Sequence, residues 1–189
     1  IRDVPYQVLY GLYCGGTIIA PIWIITAAHC KDKEKYVHAG SAQRSIATRY
    51  PICAHFIHPL WHTNDLHTHD YDYQLVLLQK PIPVTPQSRP IAIGNIADVQ
   101  PGTMVAVSGW GHTQYKAFPF ACEAQLQVAV FASFQLKGLG DSGGPAVVNG
   151  KLVGLVSFGV GCAFKEQPGV YSNIPLVRSW IRSVTGLPL

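Results

Sequence analysis

The sequence predicts an all-β protein, a sandwich or a pair of small barrels, that ends in one helix. Short apolar runs rich in β-branched residues alternate with glycine and proline, a rhythm typical of many short strands. The clearest runs cover residues 6–10, 17–19, 23–26, 75–79, 103–108, 126–131 and 151–158. The middle of the chain is crowded by prolines, which interrupt strand ladders, at positions 81, 83, 86, 90 and 101. We therefore expect a linker there, between two halves of similar strand content.

A hairpin and a helix are marked by particular residues. Asn149-Gly150 separates two apolar runs and predicts a type I′ turn, because both central residues of that turn need positive φ. Near the C-terminal end, one helical face is apolar and contains Val177, Trp180, Ile181 and Val184. Since Pro175 suits a first helical turn, we expect a helix over about residues 176–185.

The composition excludes several classes of protein. The chain has 189 residues, of which 48% are hydrophobic and 13% charged, so it can bury a core and is not of the disordered class. Its net charge is +4 with scattered basic residues, so we expect no nucleic-acid partner. The longest apolar stretch, residues 17–28, contains Pro21 and is too short for a membrane span. The first residues lack the pattern of a signal peptide, as expected for a mature, processed chain.

The cysteines and histidines offer no metal site by their spacing. Five cysteines, an odd number, leave at least one free or paired outside the chain: Cys14, Cys30, Cys53, Cys122 and Cys162. One segment is rich in histidine, at His55, His58, His62, His67 and His69. These histidines share no structural-site spacing and lack supporting cysteine ligands, so we expect a solvated loop and no metal or cofactor.

The most specific segment is residues 140–145, Gly-Asp-Ser-Gly-Gly-Pro. A serine hydroxyl is a poor nucleophile unless a base accepts its proton and nearby donors stabilise the oxyanion. The flanking glycines allow a tight turn and leave the N–H groups of Gly140 and Ser142 open towards a substrate carbonyl. Ser142 is therefore the predicted nucleophile.

A histidine and an aspartate complete a catalytic set. His29 follows an apolar run and the small Ala27 and Ala28, and a bridge between Cys14 and Cys30 would hold its loop in place. A carboxylate must then orient the imidazole. Among the nearby aspartates, Asp72 leads into an apolar run that would bury it, whereas solvated loop charges are expected at Asp65 and Asp70.

Six segments carry a family resemblance when they are taken together. They are Cys-Gly-Gly-Thr-Ile-Ile at 14–19, residues 23–30 and 72–78, Ser-Gly-Trp-Gly at 108–111, residues 140–145, and Pro-Gly-Val-Tyr at 168–171. These segments, in the chain order His, Asp, Ser, resemble the chymotrypsin/trypsin family of serine proteases from Val4 to the terminal helix. The first half further resembles the group 3 allergens of mites.

The resemblance implies one secreted, monomeric protease domain over residues 1–189, made of two packed six-stranded antiparallel β-barrels. The first barrel would cover about residues 1–90 and the second about 100–173. Substrates would be proteins or peptides, with protein inhibitors as further partners and no membrane partner. The resemblance also implies binding roles: Gly140 and Ser142 in an oxyanion hole, Ser157, Phe158 and Gly159 on the substrate-pairing strand, and Gly159, Gly169 and Leu136 around the specificity pocket.

The sequence departs from the family pattern in four ways, and two of them, the short N-terminal end and the altered pocket, favour an alternative. Ile1 lies too few residues before Pro5-Tyr6-Gln7 for us to expect it to reach Asp141, as the family's N-terminus does. The span from Leu126 to Ser142 is far shorter than the family's. Gly138 stands at the position where the family has the partner cysteine of Cys162. Leu136 stands where trypsins carry aspartate, which implies an apolar or blocked pocket. The first hypothesis is thus an active endopeptidase, and the second is a non-catalytic paralogue that binds a partner protein.

Overall fold

The computed structural model describes residues 1–61, 70–111, 127–131, 141–158 and 170–189, with the backbone alone described for 127–131. These residues form a closed six-stranded barrel, a six-stranded sheet and a C-terminal helix. The predicted all-β fold with a terminal helix is confirmed. None of the helices in these described parts is long and apolar enough to cross a membrane.

The first barrel is built from antiparallel strands closed in the order β1-β2-β3-β6-β5-β4. The strands are β1 Gln7–Tyr10, β2 Cys14–Ala20, β3 Trp23–Thr26, β4 Tyr36–Ala39, β5 Thr48–Ile57 and β6 Gln74–Leu78. The sequence had not indicated β4 or β5. Pro51 lies inside β5 beside a register shift between Ile52 and Ala54, where a missing N–H is tolerated.

The second sheet has the order β12-β11-β10-β8-β9, with β7 paired to β11. Its strands are β7 Ala92–Ile93, β8 Val105–Gly109, β9 Gln127–Phe131, β10 Pro145–Val148, β11 Lys151–Phe158 and β12 Val170–Asn173. The pairing of β7 with β11 is parallel, which differs from the antiparallel expectation. The other pairs are antiparallel.

The predicted turn and helix are both present. Asn149 and Gly150 have φ of 47° and 74°, as a type I′ turn requires, and they join β10 to β11. Helix α1 covers Arg178–Thr185 and ends at Gly186 in the left-handed region. It begins two residues later than predicted, because the preceding turn, Ile174–Val177 with Pro175 inside it, is a 3-10 helix.

The barrel and the sheet share a core. One buried apolar cluster combines Ile25 and Leu75 of the barrel with Val147 and Leu155 of the sheet and Ile181 of α1. A hydrogen bond between polar side chains also joins them, since the Ser108 hydroxyl donates to Gln7 Oε1 at 2.6 Å. The two sheets therefore meet face to face, as a site assembled from both halves requires.

Candidate active site

The predicted base and carboxylate lie together. His29 Nδ1 is 2.7 Å from Asp72 Oδ2, and the His29 backbone N–H donates to Asp72 Oδ1 at 2.9 Å. The Asp72 side chain is fully buried, whereas 27% of the His29 side chain is exposed. The carboxylate therefore holds one edge of the imidazole from inside the protein, while part of the ring faces outward.

Ser157 on β11 supplies another contact to this carboxylate. Its buried hydroxyl donates to Asp72 Oδ2 at 2.5 Å. Burial raises the pKa of the Asp72 carboxyl, but the hydrogen bonds and charge of His29 and the Ser157 hydroxyl outweigh it and place the pKa below its ordinary value. The resemblance had assigned Ser157 to the strand that pairs with the substrate. Side chains alternate between the two faces of a strand, so the inward direction of the Ser157 hydroxyl could be assigned only after β11 had been placed in the sheet.

His29 is presented by the chain directly after β3. Ala27 and Ala28 are buried, as their small side chains predict, and a 3-10 turn over Ala28–Cys30 follows. The Cys14–Cys30 disulfide joins this turn to the start of β2. The expected bridge is confirmed, and it holds the loop that carries His29 against the barrel.

Removing this disulfide is expected to lower the free energy of unfolding by about 3 kcal/mol, because the bridge closes a loop between cysteines 16 residues apart. The double variant Cys14→Ala/Cys30→Ala should show this loss in chemical denaturation. Cys53→Ala is the control, since Cys53 is a free, exposed cysteine and its loss should leave stability unchanged. Equal stability of the double variant and the control would contradict the expectation.

Ser142 lies beside the same loop. Its carbonyl accepts a hydrogen bond from the Gly15 N–H at 2.7 Å and lies 3.7 Å from Cys30 Sγ, a van der Waals contact because a disulfide sulfur carries no hydrogen. On the other side, the Gly143 N–H donates to the Val156 carbonyl at 2.7 Å. The predicted nucleophile is therefore held between β2 of the barrel and β11 of the sheet.

Asp141, next to Ser142, packs against the Ser-Gly-Trp-Gly segment. Its Oδ1 accepts a hydrogen bond from the Gly111 N–H at 2.8 Å, and a Cβ on Gly109 would lie 1.8 Å from the same oxygen. This close approach explains why glycine is needed at that position. Ile1 lies in a turn in which the Val4 N–H donates a hydrogen bond to the Ile1 carbonyl. The expectation that Ile1 does not reach Asp141 stays a prediction.

Of the predicted substrate-binding residues, the structure describes Ser157 and Phe158. Phe158 is half-buried and lines a cavity of about 650 Å³ together with Tyr71, Val170 and Tyr171. Several residues singled out in the sequence lie outside the described residues: Asp65, Cys122, Leu136, Gly138, Gly140, Gly159, Cys162 and Gly169.

The described histidines of the His-rich segment have partners within the protein. His55 Nδ1 is 2.9 Å from Gln74 Nε2, and His58 stacks on Tyr71 with ring centroids 4.9 Å apart. Within the described parts of the chain, the one group with metal-ligand spacing is Cys14, His29 and Cys30, and its two sulfurs are joined to each other. His62, His67 and His69 lie outside the described residues.

Two buried polar residues at this site were not singled out from the sequence. The Thr26 hydroxyl donates a hydrogen bond to the Gly15 carbonyl at 2.7 Å. Gln7 lies next to Gly144, and its side-chain oxygen accepts a hydrogen bond from the Ser108 hydroxyl. The sequence indicates these residues only indirectly. Thr26 lies inside the segment 23–30 that carries the family resemblance, and a polar residue buried in an apolar strand normally has a hydrogen-bond partner.

A closed barrel packed on a second sheet, with a histidine–carboxylate pair at their contact, is the architecture of the two-barrel serine proteases. Comparisons with known proteins agree. The family model described as Trypsin matches residues 2–181. The chain therefore belongs to the trypsin family of serine proteases.

Individual relatives give the extent of the likeness. Trypsin 5G1 of Aedes aegypti is 32% identical over 222 aligned positions, which cover 99% of this chain and 82% of that protein. Human Kallikrein-8 is 31% identical, with 93% and 78% covered. The structure of neuropsin, a serine protease expressed in the limbic system of mouse brain, has a TM-score of 0.87 at 24% identity and covers 97% of this chain, a likeness in fold. The narrower likeness to mite allergens stays a prediction.

Proposed function

We propose that this chain is a secreted serine endopeptidase, one domain over residues 1–189, with His29, Asp72 and Ser142 as its catalytic triad. The observation that carries the proposal is the 2.7 Å contact between His29 Nδ1 and the buried Asp72 carboxylate. A buried carboxylate in that position fixes the imidazole tautomer, which is the requirement for a histidine that must act as a base.

The proposed reaction uses these three side chains in turn. With its Nδ1 proton directed at Asp72, neutral His29 has Nε2 available to accept the proton of the Ser142 hydroxyl. Ser142 Oγ then bonds to the scissile carbonyl carbon, and the N–H groups of Ser142 and Gly140 stabilise the oxyanion. His29 returns the proton to the leaving amine as the C–N bond breaks, and water hydrolyses the acyl-enzyme by the same route.

The partners and the location follow from the same chemistry. Proteins or peptides are the substrates, protein inhibitors are further partners, and the mechanism requires no cofactor. The disulfide between Cys14 and Cys30 supports an oxidising, extracellular location, because such bridges are rare in the cytosol. We also propose a monomer.

Labelling by a fluorophosphonate tests the function, because this probe reacts only with an activated serine. The purified chain is expected to take up one equivalent at Ser142, detected by intact and peptide mass. Ser142→Ala should not be labelled, whereas Ser183→Ala on α1 should label normally. Absence of labelling in the folded chain would overturn the proposal and favour the non-catalytic binding protein.

A further inference from the structure

The contact between the two halves of the site contains a short chain of hydrogen bonds that the reaction scheme does not use. It begins at Thr26, the last residue of β3, whose side chain is fully buried. The Thr26 hydroxyl donates to the Gly15 carbonyl at 2.7 Å, and the Gly15 N–H donates to the Ser142 carbonyl at 2.7 Å. A side chain in the barrel is thus connected through Gly15 to the backbone of the predicted nucleophile.

Thr26 also contacts the turn after Ser142 directly. Gly143 has φ of +77°, and a Cβ placed there would lie 2.1 Å from Thr26 Oγ1 and 2.9 Å from the Ala27 nitrogen. A Cβ on Gly15 would lie 2.9 Å from the Gly144 Cα. The Ser142-Gly143-Gly144 backbone therefore lies directly against Thr26 and Gly15, with no room for a side chain between them.

The position of Thr26 in the barrel links it to the other two members of the triad. His29 follows it by three residues, after the buried Ala27 and Ala28. In the ladder between β3 and β6, Thr26 pairs with Gln74, which follows Asp72 by two residues. Thr26 is therefore adjacent in the fold to the segments that carry His29, Asp72 and Ser142.

We propose that Thr26 is a positioning residue of this site: its hydroxyl holds Gly15, and Gly15 in turn holds the Ser142 backbone at a set distance from His29. The inference rests on the proposed protease function. Proton transfer and attack need atoms within hydrogen-bond reach, and a displacement of about 1 Å can cost on the order of a hundredfold in rate. Loss of the hydroxyl would move the nucleophile relative to its base without removing either one.

Thr26→Val tests the inference, because valine keeps the shape of threonine and removes the hydrogen bond. Thr26→Ser is the partner variant that keeps the hydroxyl and loses the methyl group. Thr17→Val is the matched control: Thr17 is a buried threonine of β2 whose hydroxyl has no hydrogen-bond partner among the described residues. Each variant is reacted with the fluorophosphonate at several concentrations, and its thermal unfolding is followed separately.

Thr26→Val is expected to lower the maximal labelling rate between about tenfold and a hundredfold, with the half-saturating probe concentration unchanged. Thr26→Ser and Thr17→Val should label near the original rate. A merely structural role would lower the unfolding temperature of Thr26→Val and leave its maximal rate unchanged well below that temperature.

Normal labelling of folded Thr26→Val would overturn the inference. If Thr26→Val does not fold, Thr26→Ser decides: a rate near the original supports the inference, and a large loss despite the retained hydroxyl overturns it. A failure of the proposed function is recognised separately, because the unsubstituted chain would then not be labelled at all.

Discussion

Replacing Asp72 with asparagine is expected to lower kcat by about four orders of magnitude, the loss that this change causes in the template for Ser-His-Asp catalysis. The asparagine amide fits the same space, but its NH₂ group can face His29 Nδ1, 2.7 Å away in the structure. The imidazole proton would then move to Nε2, and the ring could no longer accept the Ser142 proton. Reaction with the fluorophosphonate needs the same transfer of the Ser142 proton to His29, so its maximal labelling rate should fall strongly as well, and this rate is the quantity to measure.

Asp98→Asn is the matched control for this prediction. Asp98 also has a lowered pKa, caused first by the Asn95 backbone N–H and then by Lys151, whose Nζ is 2.9 Å from Asp98 Oδ1. Its partners belong to the second half of the molecule and none belongs to the candidate site, so labelling should not change. Normal labelling of Asp72→Asn would show that the His29–Asp72 pair does not serve the nucleophile.

Replacing Gly143 with alanine is expected to lower the free energy of unfolding by about 2–5 kcal/mol and to abolish labelling. The left-handed backbone at φ +77° costs an alanine about 1–2 kcal/mol. Its Cβ would also overlap Thr26 Oγ1 and the Gly15 carbonyl oxygen, and such overpacking adds about 1–3 kcal/mol. Because Gly143 adjoins Ser142, relief of the overlap must displace the nucleophile. Chemical denaturation and probe labelling measure the two effects.

Gly102→Ala separates the backbone cost from the overlap. Gly102 has φ of +82°, but a Cβ there would meet nothing within 4 Å. We therefore expect a loss of about 1–2 kcal/mol and unchanged labelling. If Gly143→Ala and Gly102→Ala were equally stable and equally reactive, the close approach of Thr26 to Gly143 would not exist in solution.

Local patterns predicted much of the fold. The Asn149-Gly150 turn, the strands around residues 23–26 and 151–158, and the terminal helix follow from turn chemistry and hydrophobic spacing, which act within a few residues. Strand β5 escaped prediction because Pro51 breaks its pattern, and β4 because it is short and exposed at Tyr36. Both strands exist because they pair with neighbours that already belong to the barrel.

The amino-acid order by itself determined which groups are available for chemistry: a serine between glycines, a histidine after a buried strand, and an aspartate before one. Only the tertiary structure decided how they meet, since Asp72 is joined to His29 across 43 residues and to Ser157 across 85. It also decided that Thr26 and Gly15 support the Ser142 backbone. The physical reason is that hydrogen bonds act over about 3 Å in space, whereas sequence patterns report only neighbours along the chain.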